Sequence, residues 1–256
     1  MMEKFVLVTS GRTGSTAVID ELGKASSLVT TQELFLRKIN MQQWIAEEKL
    51  YKLLPRFDDW MAQLSRWKRK YLPMYSDARQ AEIYLGHAEE LAQAQGAKGF
   101  GWKVLSHHFE QRHFLGHLLK QRGYRALYLR RNPLRQALSG MVANQRGIFN
   151  SLKKIEDDHR YHIDLDELQK ETLMRRKRVT MDCEILREYG LDYIEIDYED
   201  YCENRESFYS KIFTFLTLPI ELPPKSDFVK VIEDLRTTLE NYDEVEQLAT
   251  TMGESP

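Results

Sequence analysis

Short apolar segments recur along the chain between longer stretches that have helical periodicity. The apolar segments lie at residues 5–9, 28–31, 101–105, 124–130 and 193–197. Runs of this length, rich in β-branched residues, are typical of buried parallel strands. The stretches between them predict helices at 16–24, with Thr16 as the N-cap, and at 110–121, 133–145, 165–189 and 200–216. This alternation predicts an α/β fold in which helices cover both faces of a central parallel sheet.

Two regions depart from the alternation. Residues 39 to about 95 show helical patterns without a strand, so we expect a helical insertion at 38–96 within a single domain of residues 1–256. The insertion carries Trp44, Trp60, Trp67 and the basic segment RWKRKY at 66–71. It is either a lid that contributes to an acceptor pocket or an amphipathic layer that packs on the sheet. The tail beyond Pro219 predicts an amphipathic helix over 228–248.

The first strand runs into a glycine-punctuated loop, FVLVTSGRTGST at 5–16. A strand, a glycine loop and a helix place backbone N–H groups around an anion at the helix N-terminus. Gly11 and Gly14 allow close approach, whereas Thr13, Ser15 and Thr16 add hydroxyls. An ATP-binding loop reads G-x-x-x-x-G-K-[ST], but here Ser15 stands in the lysine position and the cation is Arg12. The loop therefore predicts a phosphate or sulfate site unlike that of a nucleoside-triphosphate hydrolase.

A second motif, YLRRNPLRQALSGMVANQ at 128–145, places Arg131 at a strand end and Ser139 eight residues later. That spacing puts the serine two turns into the following helix, facing the same anion as the arginine. With the loop, this motif resembles the sulfotransferases that use 3′-phosphoadenosine-5′-phosphosulfate (PAPS), in their bacterial and carbohydrate-type branch. The resemblance implies a P-loop-like three-layer fold, a 5′-phosphosulfate site at residues 11–16 and a 3′-phosphate site at Arg131 and Ser139.

The resemblance extends to IDYEDY at 196–201, where Tyr198 matches a tyrosine near the adenine, although a core tyrosine is an alternative. It also implies transfer of a sulfuryl group to a hydroxyl or amine, with Arg12 stabilising the leaving phosphate. Glu33 in TTQELF resembles the family's general base, and the pair His107-His108 is the rival. Lys103, on the preceding strand, contacts either the sulfuryl group or the acceptor, or extends to the surface.

Composition narrows the partners. A net charge of −2 argues against a general nucleic-acid binder, because such proteins normally carry a strong excess of basic residues. Cys183 and Cys202 are too few for a disulfide framework, and His113 and His117 lack a third metal ligand, so no metal is expected. No apolar run is long enough to span a membrane. We expect a cytoplasmic enzyme with a small-molecule acceptor, and a homodimer is compatible with the sequence. A P-loop kinase and a non-catalytic binding protein are the alternatives.

Overall fold

A computed structural model describes residues 2–35, 54–57, 59–60, 77–152, 159–230, 232 and 234–254 of the protein. Within them, five parallel strands form one sheet in the order β2-β3-β1-β4-β5. The strands are β1 (Glu3–Thr9), β2 (Leu28–Thr31), β3 (Gly99–Leu105), β4 (Arg125–Arg130) and β5 (Tyr193–Asp197). Since β1 has β3 on one side and β4 on the other, the loop after β1 begins where the strand order reverses. Ligands of open α/β sheets bind at such a point.

The sheet is the middle of three layers, as the sequence predicts. The helices of the described chain are α1 (Ser15–Lys24), α2 (Asp77–Ala94), α3 (His107–Gln111), α4 (Phe114–Gln121), α5 (Pro133–Arg146), α6 (Leu165–Glu188), α7 (Tyr198–Glu203), α8 (Arg205–Phe215), α9 (Leu235–Thr238) and α10 (Tyr242–Met252). Alternate residues of a strand point to opposite faces. Val6 and Val8 pack with α2 and α4, whereas Phe5 and Leu7 pack with α1 and α8.

Several predicted helix bounds are wrong. The helix after the first loop begins at Ser15 with Gly14 as its N-cap, so Thr16 is not the cap. The helix expected at 110–121 is two helices, because the chain is extended at Arg112, with a φ of −134°. The helix expected at 200–216 begins at Tyr198 and is interrupted at Asn204, whose side chain caps α8 by accepting from the Ser207 amide at 3.0 Å.

The predicted helix over 228–248 is also wrong in its bounds. Val229 instead forms an antiparallel bridge with Ser151, and only Leu235–Thr238 and Tyr242–Met252 are helical among the described residues of this tail. The Val229 amide donates to the Ser151 carbonyl at 3.0 Å. The tail around Val229 therefore reaches the carboxyl edge of the sheet as extended chain.

Most of the expected insertion at 38–96, including Trp44, Trp67 and the segment at 66–71, lies outside the described residues. The part that is described packs on the sheet. Tyr84 and Leu85 of α2 are fully buried with Trp102 of β3. Trp60 lies 5.5 Å from the Tyr84 ring, measured between ring centroids. In these residues the aromatic side chains stabilise the interface between α2 and β3.

Candidate active site

The loop after β1 contains three consecutive or nearly consecutive residues with positive φ angles, a conformation that favours glycine. Gly11 and Gly14 have φ values of +84° and +77°, and Arg12 between them has +57°, which is unusual for a residue with a side chain. Thr9 and Thr13, both buried, bring their hydroxyls within 2.5 Å across the base of the loop. Gln136 of α5 donates to the Ser10 hydroxyl at 2.9 Å and to the Gly11 carbonyl. The loop is thus held in one conformation from both sides.

A pocket of about 780 Å³ opens beside this loop. Its wall includes the loop and start of α1 (Arg12, Gly14, Ser15, Thr16), the end of β4 and α5 (Arg131, Arg135, Ser139), and α7 (Tyr198, Tyr201, Cys202). All of these groups follow the carboxyl ends of parallel strands. The residues predicted to bind the two ends of a nucleotide therefore share one pocket, although Arg12 and Arg131 are far apart in sequence.

Arg12 joins the two motifs. Its guanidinium donates to the Ser139 hydroxyl at 3.0 Å and to the Phe149 carbonyl, and its own carbonyl accepts from the Arg131 guanidinium at 3.1 Å. Neither arginine forms an ion pair with a carboxylate of the described residues, and the Nε atoms of both are buried without a hydrogen-bond partner there. Burial, with Arg131 and Arg175 nearby, lowers the pKa of Arg12 to about 10.

Burial also lowers the pKa of Arg131. Both guanidinium groups remain charged at neutral pH, because even a pKa of about 10 lies well above it. Two buried cations without carboxylate partners are costly unless an anion joins them. The pocket is therefore suited to a ligand with more than one negative group.

Tyr198 closes the side of the pocket between the two motifs. Its ring lies 4.8 Å below the Arg131 guanidinium, a cation–π contact. A Cβ atom on Gly14 would come within 2.1 Å of that ring, so only glycine fits there. The helix that carries Tyr198 is fixed to α1 by buried Glu21, which accepts from the Tyr201 hydroxyl at 2.8 Å and from Arg205 at 2.5 Å.

The predicted general base lies at the next strand end. The Glu33 carboxylate is 3.4 Å from Lys103 Nζ and 3.8 Å from His108 Nε2, and its side chain is 13% exposed. Lys103 is buried rather than extended to the surface, and its Nζ lies 3.4 Å from the Thr16 hydroxyl. The structure therefore brings Glu33, Lys103 and the phosphate loop together.

The two histidines lie in different surroundings. Burial, with His107, Arg112 and Lys103 nearby, lowers the pKa of His108 to about 3. A general base works best when its pKa is close to the operating pH, so His108 is a poor base at neutral pH. His107 lines a second cavity of about 250 Å³ with Ser10 and Ser106, and its ring lies 4.5 Å from that of His108.

Part of the pocket wall was not predicted from the sequence. Phe149, Asn150 and Ser151 after α5, and tail residues between Phe228 and Arg236, also line the pocket. No local motif marks them, because the bridge between Ser151 and Val229 joins segments that are distant in sequence. A signal for Arg135 was present in the sequence, since it lies in the first turn of the helix that follows Arg131.

The sequence model of the sulfotransferase family matches residues 5–222, most of the chain, so the protein belongs to the sulfotransferase family and is a sulfotransferase enzyme. No curated protein matches it at a significant level. Among the described residues, no helix is long and apolar enough to cross a membrane, and no cluster of three or more His, Cys, Asp or Glu side chains is arranged to hold a metal ion.

Solved structures of sulfotransferases resemble the fold at low identity. The sulfotransferase domain from the curacin biosynthetic pathway is 14% identical, with a TM-score of 0.44 over 100% of this chain and 99% of that one. A sulfotransferase from Alicyclobacillus acidocaldarius is 12% identical, with a TM-score of 0.47 over 100% and 98%. The sulfotransferase domain of the Synechococcus PCC 7002 olefin synthase is 15% identical, with a TM-score of 0.47 over 100% and 96%. These likenesses are too distant to indicate a substrate.

Proposed function

We propose that the protein transfers a sulfuryl group from PAPS to a hydroxyl or amine of a small metabolite, with a carbohydrate as the first class of acceptor. The observation that supports the proposal is that the two cationic motifs line one pocket. Arg12 contacts Ser139 at 3.0 Å, and Arg131 contacts the Arg12 carbonyl at 3.1 Å. PAPS has two separate anionic ends, a 5′-phosphosulfate and a 3′-phosphate, and the pocket offers one arginine for each end, Arg12 and Arg131.

The residues fit this donor by their chemistry. Two buried guanidinium groups with unpartnered Nε atoms match two anions, and the amide groups at the start of α1 add hydrogen-bond donors. Gly14 leaves room for the Tyr198 ring beside the loop, and that ring offers a flat surface for an adenine. We assign the loop of residues 11–16 to the 5′ end, Arg131 and Ser139 to the 3′-phosphate, and Tyr198 to the base.

The chemistry follows from what each side chain does near the loop. When bound, the donor supplies a sulfuryl group whose S–O bond to the 5′-phosphate breaks as a bond to the acceptor oxygen or nitrogen forms. The electron pair of the broken bond remains on the phosphate, where Arg12 meets the growing charge. Lys103 is within reach of the transferred group because its Nζ contacts Thr16. Glu33 accepts the acceptor's proton, and its contact with Lys103 fixes the carboxylate in place.

The choice of Glu33 over the histidines rests on two observations. His108, with a pKa of about 3, holds a proton too weakly to serve, whereas Glu33 contacts Lys103, which in turn contacts Thr16 of the phosphate loop. Two further proposals extend the assignment. We propose that residues 1–256 form one domain in which the insertion at 38–96 borders the acceptor, and that the enzyme acts in the cytoplasm.

Binding of the desulfated product, adenosine 3′,5′-bisphosphate (PAP), tests the donor assignment without an acceptor. PAP in EDTA should raise the melting temperature, whereas ATP with Mg²⁺ should not, since a ligand of the folded state stabilises it by about 2.7 kcal/mol at a hundred times its Kd. Adenosine 5′-monophosphate, which lacks the 3′-phosphate, is the internal control. Arg131→Gln should abolish the preference for PAP over this nucleotide. A preference that persists in the variant contradicts the assignment of Arg131.

A further inference from the structure

A second cavity, of about 250 Å³, lies beside Ser10 at the start of the loop and shares no lining residue with the donor pocket. Ser10 and Ser106 form its floor where β1 and β3 end, and His107 lies beside them. Glu171, Arg175 and Arg178 on successive turns of α6 form its wall. This volume is small for a complete ligand site, so the cavity suits one end of a larger molecule or a single small ring.

The second cavity approaches the donor pocket at Arg12. Arg175 Nη2 would lie 3.2 Å from a Cβ on Gly140, and Arg12 Cγ would lie 4.0 Å from the same point. The two arginine side chains therefore approach each other beside Gly140 of α5. Arg12 lines the donor pocket, and Arg175 lines the second cavity. A molecule that contacts Arg175 in the second cavity therefore lies close to Arg12, the group that the proposed function places at the leaving phosphate.

The cavity wall offers N–H groups that no described residue uses. Arg175 contacts Glu171 at 3.3 Å through Nη2, and its Nε is buried without a hydrogen-bond partner. Arg178 is held by Asp182 at 2.7 Å and Glu110 at 2.6 Å, yet its Nη2 is also buried without a partner. Arg178 is thus neutralised by two carboxylates, whereas Arg175 has one weak contact and retains most of its hydrogen-bonding capacity.

We infer that the second cavity binds the acceptor through an acidic group of that acceptor, a carboxylate, a sulfate ester or a phosphate ester, which Arg175 holds. A guanidinium group binds such planar or tetrahedral anions with paired N–H donors. Glu171 contacts Arg175 from the preceding turn of α6, and Arg178 lines the same cavity from the next turn. This inference rests on the sulfotransferase function proposed above and goes further, because it limits the acceptors to hydroxylated or aminated acids.

A matched series of sugars tests the inference on the full-length protein saturated with PAP. The probes are glucose, glucuronate, glucose 6-sulfate and glucose 6-phosphate, with 4-hydroxybenzyl alcohol and 4-hydroxybenzoate as a non-sugar pair. Binding is measured by the further rise in melting temperature, and transfer by radiolabelled sulfate from PAPS. We expect at least one acidic member to bind about tenfold or more tightly than its neutral partner, as charge-assisted hydrogen bonds allow. Which member binds distinguishes carboxylate from sulfate and phosphate.

Arg175→Gln should remove this preference and leave PAP affinity within about twofold, whereas Arg175→Lys should retain part of it. Lys177→Gln is the matched control, because Lys177 is exposed on the same helix and lines neither cavity. Three outcomes overturn the inference: neutral probes bound as tightly as acidic ones, an acidic preference unchanged by Arg175→Gln, or a loss of PAP affinity that matches the loss of acceptor affinity. Failure of PAP to bind the wild-type protein would instead refute the proposed function itself.

Discussion

The contact between Gly14 and Tyr198 gives a sharp test of the donor pocket. A Cβ on Gly14 would lie 2.1 Å from the Tyr198 ring, whereas carbon atoms separate to about 3.5–4.0 Å at contact. In Gly14→Ala the ring must therefore move by roughly 1.5 Å, away from the position in which it packs against Arg131. A misplacement of about 1 Å near a reacting centre can cost a hundredfold in rate.

The substitution has a second effect that must be separated from the first. Gly14 has a φ of +77°, and a residue with a side chain in this region costs about 1–2 kcal/mol. Gly123 has a φ of +73°, a Cβ atom added to it would meet no other atom within 4 Å, and it precedes β4 at the opposite edge of the sheet. Gly123→Ala thus reports the backbone cost alone.

A double-mutant cycle isolates the ring displacement. We expect Gly14→Ala to raise the Kd for PAP by about ten- to a hundredfold, and Gly123→Ala to destabilise by about 1–2 kcal/mol without changing that Kd. Tyr198→Ala should weaken PAP by less, about the 0.5–2 kcal/mol of a cation–π contact and a stacked base. In Gly14→Ala/Tyr198→Ala the Kd should equal that of Tyr198→Ala, since the clash is gone. Isothermal titration measures all four, and strictly additive losses would refute the reasoning.

Four other substitutions test the roles of residues at the site. Arg12→Gln should lower kcat by about 10²–10³, and the protein without ligand should unfold at an equal or higher denaturant concentration because a buried cation is removed. Glu33→Gln should lower kcat by about 10²–10⁴ at unchanged PAP affinity, whereas His107→Gln should not; the reverse result would make His107 the base. His108 has a pKa of about 3 in the folded protein against 6.5 ordinarily, so the unfolded protein binds a proton in this pH range that the folded protein does not. As the pH falls from 6.5 towards 3, the wild type should therefore lose up to about 1.4 kcal/mol of stability per pH unit relative to His108→Asn. Urea unfolding of both proteins across this range measures the difference.

The strands and the site-bearing loops could be predicted because their signals are local. A buried strand needs an apolar run, and an anion-binding turn needs glycine where φ is positive. Arg131 and Ser139 could be paired because their segment resembles the family's strand–turn–helix motif, in which eight residues separate the arginine from the serine. The interruption at Asn204 also had a signal in the sequence, since asparagine is a preferred N-cap residue, but the hydrophobic periodicity on either side concealed it.

Contacts between distant segments could not be predicted in this way. The bridge between Val229 and Ser151 depends on two extended segments meeting at the edge of the pocket, and neither has a motif. The position of Arg175 depends on how α6 crosses α5 at Gly140. Two helices pack where their surfaces fit. The sequence of α6 does not show that Arg175 will lie against a small residue, Gly140, of α5. No feature of the sequence around Arg175 therefore distinguishes it from the other charged residues of this long, mostly polar helix.

The arrangement of the arginines explains why the loop needs no lysine. A lysine at the position of Ser15 would hold its charge on a flexible chain, whereas Arg12 is fixed before any ligand arrives, by its own backbone at a φ of +57°, by Ser139 and by the Phe149 carbonyl. Fixed donors cost no reorganisation when charge develops on a leaving group. The same rigidity leaves Arg12 near Arg131 and Arg175, and their mutual repulsion lowers the stability of the protein without ligand. An anion bound beside Arg12 relieves that repulsion, so a bound donor should raise the stability of the folded protein.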